Sequence, residues 1–373
     1  MENKLYKKVL IIMFSVMILL PLLTFNFKEG KISEAENKTL ESFPQIFTEN
    51  GLNKHLAYQL IEWFEDNLGL REEAIVARRS IINNIYHQSA NTRVEEGLDG
   101  FLFLKDNDNL QIASGTYPDF DSNVLEKINS NLIKINDYLK DLDIDFVFMS
   151  PPSKVSIYPE YIQSGDYTLR DTPSDDIINY LSTNSDIKLV NLKQALLKEK
   201  DDSDLLYFKS DTHWNYIGRY IAYEEIINKF NEYGLCETSP VDVEYFDDEV
   251  YGDLYRIISS KSKEECKNYK IINQNAYKVA DGRDYEIFSE FLYNSDQIKG
   301  SYYKNDEVSG KKLMIFGDSM MNCLLPLLAE NFEEIIFVWS YEIHEEMIDY
   351  YKPDIVVLDV SERMLNAMVY YNN

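Results

Sequence analysis

The chain has 373 residues, of which 45% are hydrophobic, and this is enough to build one large domain or two smaller ones around a packed core. It carries 37 basic and 64 acidic residues, a net charge of −27 that repels the phosphates of nucleic acids. We therefore expect no nucleic-acid partner. Its few cysteines and four histidines form no CxxC, HExxH or clustered pattern, so we expect neither a metal site nor a cofactor.

The first thirty residues have the pattern of a membrane anchor. Lys4, Lys7 and Lys8 precede an uncharged apolar stretch over residues 9–27. A helix of that length spans about 28 Å, close to the hydrocarbon thickness of a bilayer. The positive flank places the N-terminus in the cytoplasm and the rest of the chain outside it. A cleaved signal peptide is the alternative, but no small-residue cleavage site follows, which favours an uncleaved single-pass anchor over residues 1–30.

Beyond the anchor, the composition predicts a polar tether over residues 31–50 and an extracytoplasmic domain over residues 51–373. Apolar residues recur at helical spacing over residues 52–86 and predict two amphipathic helices, broken around residues 67–69. Residues 240–310 are acidic and rich in tyrosine, and we interpret them as an insertion of mixed structure with an exposed loop over residues 259–267. A disulfide between Cys236 and Cys266 is compatible with this location.

The rest of the domain alternates between strand-like and helical patterns. Before the insertion, the predicted elements are a turn at 97–100 leading into a strand, a helix at 124–139, strands at 144–149 and 187–190, and a helix that has His213 in its first turn. After the insertion they are strand 312–316, helix 320–331, strand 334–339, helix 342–351, strand 354–360 and a closing helix. This alternation predicts an α/β fold with a parallel sheet flanked by helices.

A Gly317-Asp318-Ser319 turn directly follows the strand predicted at 312–316. Reactive groups in such sheets collect at the carboxyl ends of the strands. The glycine permits a tight turn into the next helix, and the backbone N–H of Ser319 can face a developing oxyanion. Three residues of this kind usually form an ordinary turn, so the position at a strand end is what favours Ser319 as a nucleophile.

A serine hydroxyl needs an imidazole to accept its proton and a carboxylate to orient that imidazole. Asp211-Thr212-His213, upstream of the serine, supplies both groups. A pair of this type is more often a helix start capped by the aspartate. Together with Ser319 it forms a catalytic hypothesis in which Asp211 orients the base His213.

Seven segments in this order give the chain a family resemblance. They are Ser33–Leu40 before Pro44, Trp63–Arg71, Gly97–Phe103, Pro152–Lys154, Asp211–Asn215, Gly317–Ser319, and Pro353–Val357 followed by Glu362-Arg363. The chain resembles the SGNH-type polysaccharide O-acetyltransferases related to AlgJ and AlgX of alginate synthesis, and the DHHW proteins of Gram-positive bacteria.

The resemblance implies an SGNH-hydrolase-like fold and an acyl-serine mechanism. In the family, the serine of the GDS motif carries the acetyl group and the D-x-H motif supplies the base and its orienting acid, so Ser319, His213 and Asp211 take these roles. It also implies a polysaccharide acceptor and a membrane-bound O-acyltransferase partner as the acetyl donor. Lys154, Lys209 and Trp214 are candidates for the acceptor site, with a purely structural role as the alternative for each.

The chain departs from the family pattern at two points. Thr212 stands where the DHHW name expects a histidine, and only the N–H of Ser319 can be assigned to the oxyanion hole. The same three catalytic residues would serve an acetylesterase equally well, since transfer and hydrolysis differ only in the acceptor. A catalytically silent scaffold of a polysaccharide assembly is a further alternative.

Overall fold

The computed structural model describes residues 2–27, 32–33, 38–40, 42–44, 46–48, 51–52, 56–71, 73–74, 93–105, 109–117, 120–163, 165, 167–201, 204–258, 260–281 and 300–370. The described helices are α1 (Glu2–Leu23), α2 (Leu56–Asn67), α3 (Asn109–Ser114), α4 (Ser122–Asp141), α5 (Lys154–Ile157), α6 (Pro173–Asn184), α7 (Leu192–Glu199), α8 (Tyr216–Glu232), α9 (Asp253–Ile257), α10 (Ser319–Asn322), α11 (Leu325–Leu328) and α12 (Glu345–Tyr351). Short 3₁₀ helices cover Leu98–Gly100, Pro159–Tyr161, Ala329–Asn331 and Glu362–Tyr370.

The described strands are β1 (Ile32–Ser33), β2 (Lys38–Thr39), β3 (Phe47–Thr48), β4 (Gly51–Leu52), β5 (Val94–Glu96), β6 (Leu102–Leu104), β7 (Asp145–Met149), β8 (Lys188–Val190), β9 (Val243–Val250), β10 (Glu264–Ile271), β11 (Tyr277–Asp281), β12 (Gly300–Lys304), β13 (Lys312–Phe316), β14 (Glu334–Val338) and β15 (Ile355–Asp359). The chain divides into two compact units. The first comprises Met1–Val94 and Asp253–Ser262, and the second comprises Glu95–Gly252 and Lys263–Asn373.

The first unit contains α1, α2, α9 and two short antiparallel pairs, β1 with β2 and β3 with β4. Among the residues that the structure describes, no helix is both long and apolar enough to cross a membrane. The first predicted amphipathic helix is α2, and its end at Asn67 confirms the predicted break. The second predicted helix and part of the tether lie outside the described residues.

A seven-stranded sheet forms the centre of the second unit, in the order β11-β12-β14-β13-β15-β7-β8. The strands from β14 to β8 are parallel, whereas β12 is antiparallel to both β11 and β14. The sheet is therefore mixed, and the prediction of a parallel sheet was wrong at this edge. Its antiparallel strands belong to the predicted insertion, where the alternation of strands and helices fails.

The parallel strands are covered on both faces, which explains their continuous apolar sequences. In β13, Leu313 and Ile315 belong to one hydrophobic cluster, whereas Met314 and Phe316 belong to the other. Neighbouring side chains of a strand point to opposite faces, so one strand contributes to both halves of the core. The two clusters fix the sheet between its helical layers.

Two predicted helices differ from those observed. His213 lies in the loop before α8, because Asn215 is the N-cap and accepts hydrogen bonds from the N–H groups of Ile217 and Gly218. The helix predicted at 320–331 is instead α10, α11 and a 3₁₀ turn. Pro326 lies at the start of α11, where its missing N–H is tolerated but a continuous helix is not.

The predicted insertion also has more regular structure than its composition indicated. Its β9 and β10 form an antiparallel hairpin in which Glu264 pairs with Val250 and Ile271 with Val243. The exposed loop predicted over 259–267 was therefore wrong from residue 264 onward, where β10 begins. Cys236 and Cys266 are not joined by a disulfide.

Candidate active site

The Gly317-Asp318-Ser319 turn lies at the carboxyl end of β13, between the parallel neighbours β14 and β15. A Cβ atom on Gly317 would lie 3.0 Å from the Cβ of Asp359, so this close approach to β15 favours glycine. Asp318 has extended backbone and caps α10, which begins at Ser319. The serine is half-buried, at the first position of that helix.

The carboxylate of Asp318 joins three loops at the same edge of the sheet. It accepts hydrogen bonds from the backbone N–H of Met320 at 2.8 Å, from the Tyr341 hydroxyl at 2.6 Å and from the Ser361 hydroxyl. Burial raises the pKa of Tyr341, and the charge of Asp318 raises it further, so this phenol stays protonated and remains a donor. Asp318 therefore fixes the turn that carries Ser319.

Asp359 is a second buried carboxyl group beside this turn. It is the last residue of β15 and has no exposed surface. Burial raises its pKa well above the ordinary value, and the nearby charge of Asp318 raises it further. Of the two carboxyl groups, Asp318 accepts the three hydrogen bonds, whereas burial of Asp359 favours its neutral form.

The predicted base and its acid are in direct contact. His213 Nδ1 and Asp211 Oδ1 are 2.6 Å apart, and the same oxygen accepts the backbone N–H of His213 at 2.9 Å. The two side chains are 20% and 19% exposed, so solvent reaches the pair only in part. With Nδ1 facing the carboxylate, Nε2 is the nitrogen that can accept a proton from a substrate or nucleophile.

Lys154 and Glu264 hold the loop that carries this pair. The ammonium of Lys154 donates to the backbone carbonyls of Phe208, Lys209 and Asp211, at 3.0, 3.0 and 2.7 Å. From the hairpin, Glu264 accepts the backbone N–H groups of Lys209 and Ser210 at 2.7 and 2.8 Å. The loop thus has a cation on its carbonyl groups and an anion on its amides.

Glu362 and its neighbour Ser361 link α5, which begins at Lys154, to the turn that carries Ser319. It is fully buried and accepts from the Ser153 N–H at 2.9 Å, from the Ser156 hydroxyl at 2.5 Å and from the Thr172 hydroxyl. Its neighbour Ser361 donates to Asp318. Through Ser153 and Ser156 the same segment fixes α5, whose first residue is Lys154.

Two concave surfaces lie near these residues. The smaller one lies next to the Asp211–His213 pair. Its lining residues are Phe103, Leu104, Asn109, Ser153, Lys154, Val155, Thr212 and Arg363. The larger one, of about 500 Å³, lies along the hairpin and is lined mainly by carboxylates: Asp204, Leu205, Asn215, Ile217, Asp247, Asp248, Glu249, Glu264, Glu265, Cys266 and Lys267.

The three candidates for acceptor binding have structural contacts. Trp214 has no exposed surface and packs in the core, and Lys154, 4% exposed, uses its three ammonium hydrogens on carbonyl groups. Lys209 donates to the carbonyl of Asp99 at 2.9 Å and lies over the Phe101 ring. These contacts favour the structural alternative for Trp214 and Lys154.

The structure brings Asp211 and His213 together, and it places Ser319 at the carboxyl end of β13 in the seven-stranded sheet. Lys154, which holds the Asp211–His213 loop, follows the carboxyl end of β7, two strands away from β13. In the described part of the chain, no hydrogen bond joins the Ser319 hydroxyl to His213. The contact between Asp211 and His213 is therefore observed, whereas their catalytic roles and the link to Ser319 are part of the proposal below.

The sequence was compared with known protein families and with solved structures. Residues 94–286, more than half of the chain, match the model of a family described as SGNH hydrolase-like domain, acetyltransferase AlgX. The chain belongs to this AlgX family. The matched residues include Asp211 and His213 and end before Ser319. No curated protein matches the sequence.

Several solved structures are similar to this AlgX-family chain. PatB1 from Bacillus cereus is 15% identical, with a TM-score of 0.48 over 66% of this chain and 91% of PatB1. A DHHW family protein from Eubacterium siraeum is 17% identical, with a TM-score of 0.48 over 65% and 88%. The O-acetyltransferase domain of Pseudomonas putida AlgJ is 15% identical, with a TM-score of 0.47 over 73% and 92%.

Sequence reasoning about this AlgX-family chain missed the buried residues that support the site. Glu264 fell in the segment interpreted as an insertion, and Glu362 entered only as part of a matching segment. Tyr341 carried no signal of its own, because a single tyrosine is common. A charged residue inside an otherwise apolar segment, as at Asp359, was the available clue.

Proposed function

We propose that this protein is an O-acetyltransferase that moves an acetyl group through an acyl-Ser319 intermediate onto hydroxyl groups of an extracellular or cell-wall polysaccharide. The observation that carries the proposal is the 2.6 Å contact between His213 Nδ1 and Asp211 in a member of an acetyltransferase family. The position of Ser319 at the carboxyl end of β13 supports its role as the nucleophile.

In the first step, the Ser319 hydroxyl attacks the carbonyl carbon of an acetyl donor while His213 Nε2 takes the hydroxyl proton. Asp211 stabilises the imidazolium that forms and keeps Nδ1 protonated throughout. The backbone N–H of Ser319, at the start of α10, is not needed within the helix and can donate to the oxyanion. Collapse of the tetrahedral intermediate expels the donor's leaving group, which takes the proton from His213.

In the second step, a sugar hydroxyl attacks the acyl-serine. His213 Nε2 accepts its proton and then returns it to the Ser319 oxygen as that oxygen leaves. The products are an acetylated sugar and free enzyme, so no net proton is consumed. Water can attack by the same route, and the acceptor must therefore bind well enough to compete with it.

The acetyl donor follows from the location that we propose. With the N-terminal helix as a single-pass anchor, the catalytic domain would lie on the extracytoplasmic side of the cell membrane, away from cytosolic acetyl-CoA. A membrane-bound O-acyltransferase would then pass acetyl groups across the bilayer to Ser319. The anchor would keep the two proteins in the same membrane.

The test is the intact mass of the full-length protein in detergent after exposure to an activated acetyl ester, beside Ser319→Ala. We expect a transient acetyl adduct on the wild type, none on the variant, and faster loss of the adduct when oligosaccharide acceptors are present. Discharge to water at the same rate with or without sugar would identify an esterase. An adduct of equal yield on Ser319→Ala, or no adduct on either protein, would contradict the proposal.

A further inference from the structure

The loop over residues 208–213 has an unusual source of support. It belongs to no helix or strand, yet it carries both Asp211 and His213. Within the turn, the Phe208 N–H donates to the His213 carbonyl, and from β6 the Leu102 N–H donates to the Lys209 carbonyl at 2.9 Å. The other polar groups of this segment need partners from elsewhere, because buried backbone groups are nearly always hydrogen-bonded.

Lys154 donates to three carbonyl groups of the loop, of which that of Lys209 also accepts the Leu102 N–H. Its ammonium has three hydrogens and contacts three carbonyl oxygens, two of them before Asp211 and the third that of Asp211 itself. The side chain lies over the rings of Phe101 and Phe103, at 6.0 and 5.3 Å from the ring centres, which fixes the direction of its stem. A change at residue 154 therefore acts directly on the backbone of the acid that orients His213.

Glu264 supplies the partners for the amides on the other side of the loop. One carboxylate oxygen accepts the N–H of Lys209, and the other accepts both the N–H and the hydroxyl of Ser210, the latter at 2.6 Å. Since Glu264 is the first residue of β10, these bonds attach the loop to the hairpin. The carbonyl groups thus meet a cation and the amides meet an anion, and such charge-assisted hydrogen bonds are stronger than neutral ones.

We propose that Lys154 and Glu264 are positioning residues that set the orientation of the Asp211–His213 pair, and that the β9–β10 hairpin serves as the brace for this loop. Neither residue contacts the reacting atoms. Both act through the backbone on either side of Asp211. The inference rests on the proposed function for its kinetic consequence, whereas its structural consequence is independent of any activity.

The structural consequence is measured on the hydrogen bond between Nδ1 of His213 and Asp211. A short bond of this kind gives a downfield imidazole N–H signal in a proton NMR spectrum, and a His213→Gln variant assigns it among the four histidines. We expect Lys154→Met and Glu264→Gln in the full-length protein to shift this signal upfield or to broaden it. The signal needs no substrate, so it tests the positioning role even if the chain proves not to be a transferase.

The kinetic consequence is measured on the rate of acetyl-adduct formation. Because a displacement of about 1 Å in a catalytic group costs about 10²-fold, we expect kcat for adduct formation to fall about 10- to 100-fold while KM changes little. If the wild type forms no adduct, the proposed function fails and the NMR signal alone decides the positioning role.

Two matched controls separate positioning from general stability. Lys200 also holds a backbone carbonyl near α5, that of Ile157 at 2.6 Å, and lies over the Tyr158 ring, but it does not contact the 208–213 loop. Glu265 is the next residue of the same strand and is exposed. We expect Lys200→Met and Glu265→Gln to leave the downfield signal and kcat unchanged, whatever they do to the melting temperature.

An unchanged signal and unchanged kcat in folded Lys154→Met and Glu264→Gln would overturn the inference. So would an equal loss in the two controls. If Lys154→Met does not fold, Glu264→Gln decides alone, because Glu264 is half-buried at the start of a surface hairpin and its replacement leaves no cavity.

Discussion

The turn of Ser319 and the loop of Asp211 and His213 are supported in different ways. The turn continues directly from β13, a buried strand hydrogen-bonded on both sides, and the Asp318 carboxylate ties it further to Tyr341 and Ser361. The loop continues from no strand. A backbone bond from the N–H of Leu102 and two charged side chains that lie 54 to 57 residues away along the sequence hold it in place. The proposed nucleophile therefore starts from a strand of the sheet, whereas the proposed base depends mainly on side-chain contacts from distant parts of the chain.

This difference indicates which substitutions we expect to disturb each half of the site. A strand-end turn survives most surface substitutions, because the strand is fixed by its neighbours and by the core on both faces. A loop held by ion-to-backbone hydrogen bonds loses its geometry when one partner is removed, since such bonds are stronger than neutral ones. We therefore expect the base to be easier to misplace than the nucleophile.

The largest effect on the base side is expected from Asp211→Asn. An amide can no longer stabilise the imidazolium, and its NH₂ group can turn Nδ1 into an acceptor. We expect the rate of acetyl-adduct formation to fall by about 10³- to 10⁴-fold. The rate is measured by intact mass, with circular dichroism to show that the variant is folded. Adduct formation at the wild-type rate would mean that His213 does not depend on this carboxylate.

A smaller effect, on the backbone of the base loop, is expected from Gly252→Ala. An added Cβ would lie 2.1 Å from the carbonyl oxygen of Ser210 and must push the loop away. We expect a loss of about 1–3 kcal/mol in the free energy of unfolding, measured in urea, together with slower adduct formation.

Gly310→Ala is the matched control for that substitution, since a Cβ there has nothing within 4 Å. We expect its free energy of unfolding and its rate of adduct formation to match those of the wild type. If both alanine variants behave alike, the close contact at Ser210 does not constrain the base loop.

The smallest effect is expected from Asp359→Asn, on the side of the site that carries Ser319. This substitution should remove a pH dependence of the melting temperature. The pKa of Asp359 is raised in the folded protein, so above its ordinary value of 3.8 the unfolded chain releases a proton that the folded chain retains. Wild-type stability therefore falls as the pH rises from about 4 toward the folded pKa. We expect Asp359→Asn to melt higher than the wild type near pH 7, by about 2–4 °C for each kcal/mol regained, with the advantage vanishing near pH 4.

Asp186→Asn is the exposed control for that prediction. This carboxylate is 68% exposed, and its hydrogen bond from Lys140 lowers its pKa, so its replacement gives no stabilisation at neutral pH. A melting temperature of Asp359→Asn that differs from the wild type by the same amount at every pH would show that Asp359 is not held neutral by burial.

Much of the fold could be predicted because the spacing of apolar residues along the chain indicates its strands and helices. The apolar runs of β7, β13 and β15 were placed within a residue of their observed bounds, and α4 showed a clear helical stripe. The errors came where a single residue sets the start or the end of a helix. Asn215 caps α8 after His213, and Pro326 interrupts the helix after Ser319. Periodicity over a window does not detect such residues.

The parallel part of the sheet, the turn of Ser319 at the end of β13 and the pairing of Asp211 with His213, near neighbours in the chain, could all be inferred from the amino-acid sequence. The antiparallel edge of the sheet and the bonds from Lys154 and Glu264 to the base loop became visible only in the folded chain. The physical reason is range: periodicity and turn chemistry act over a few residues, whereas these bonds join groups more than fifty residues apart that meet only once the core has formed.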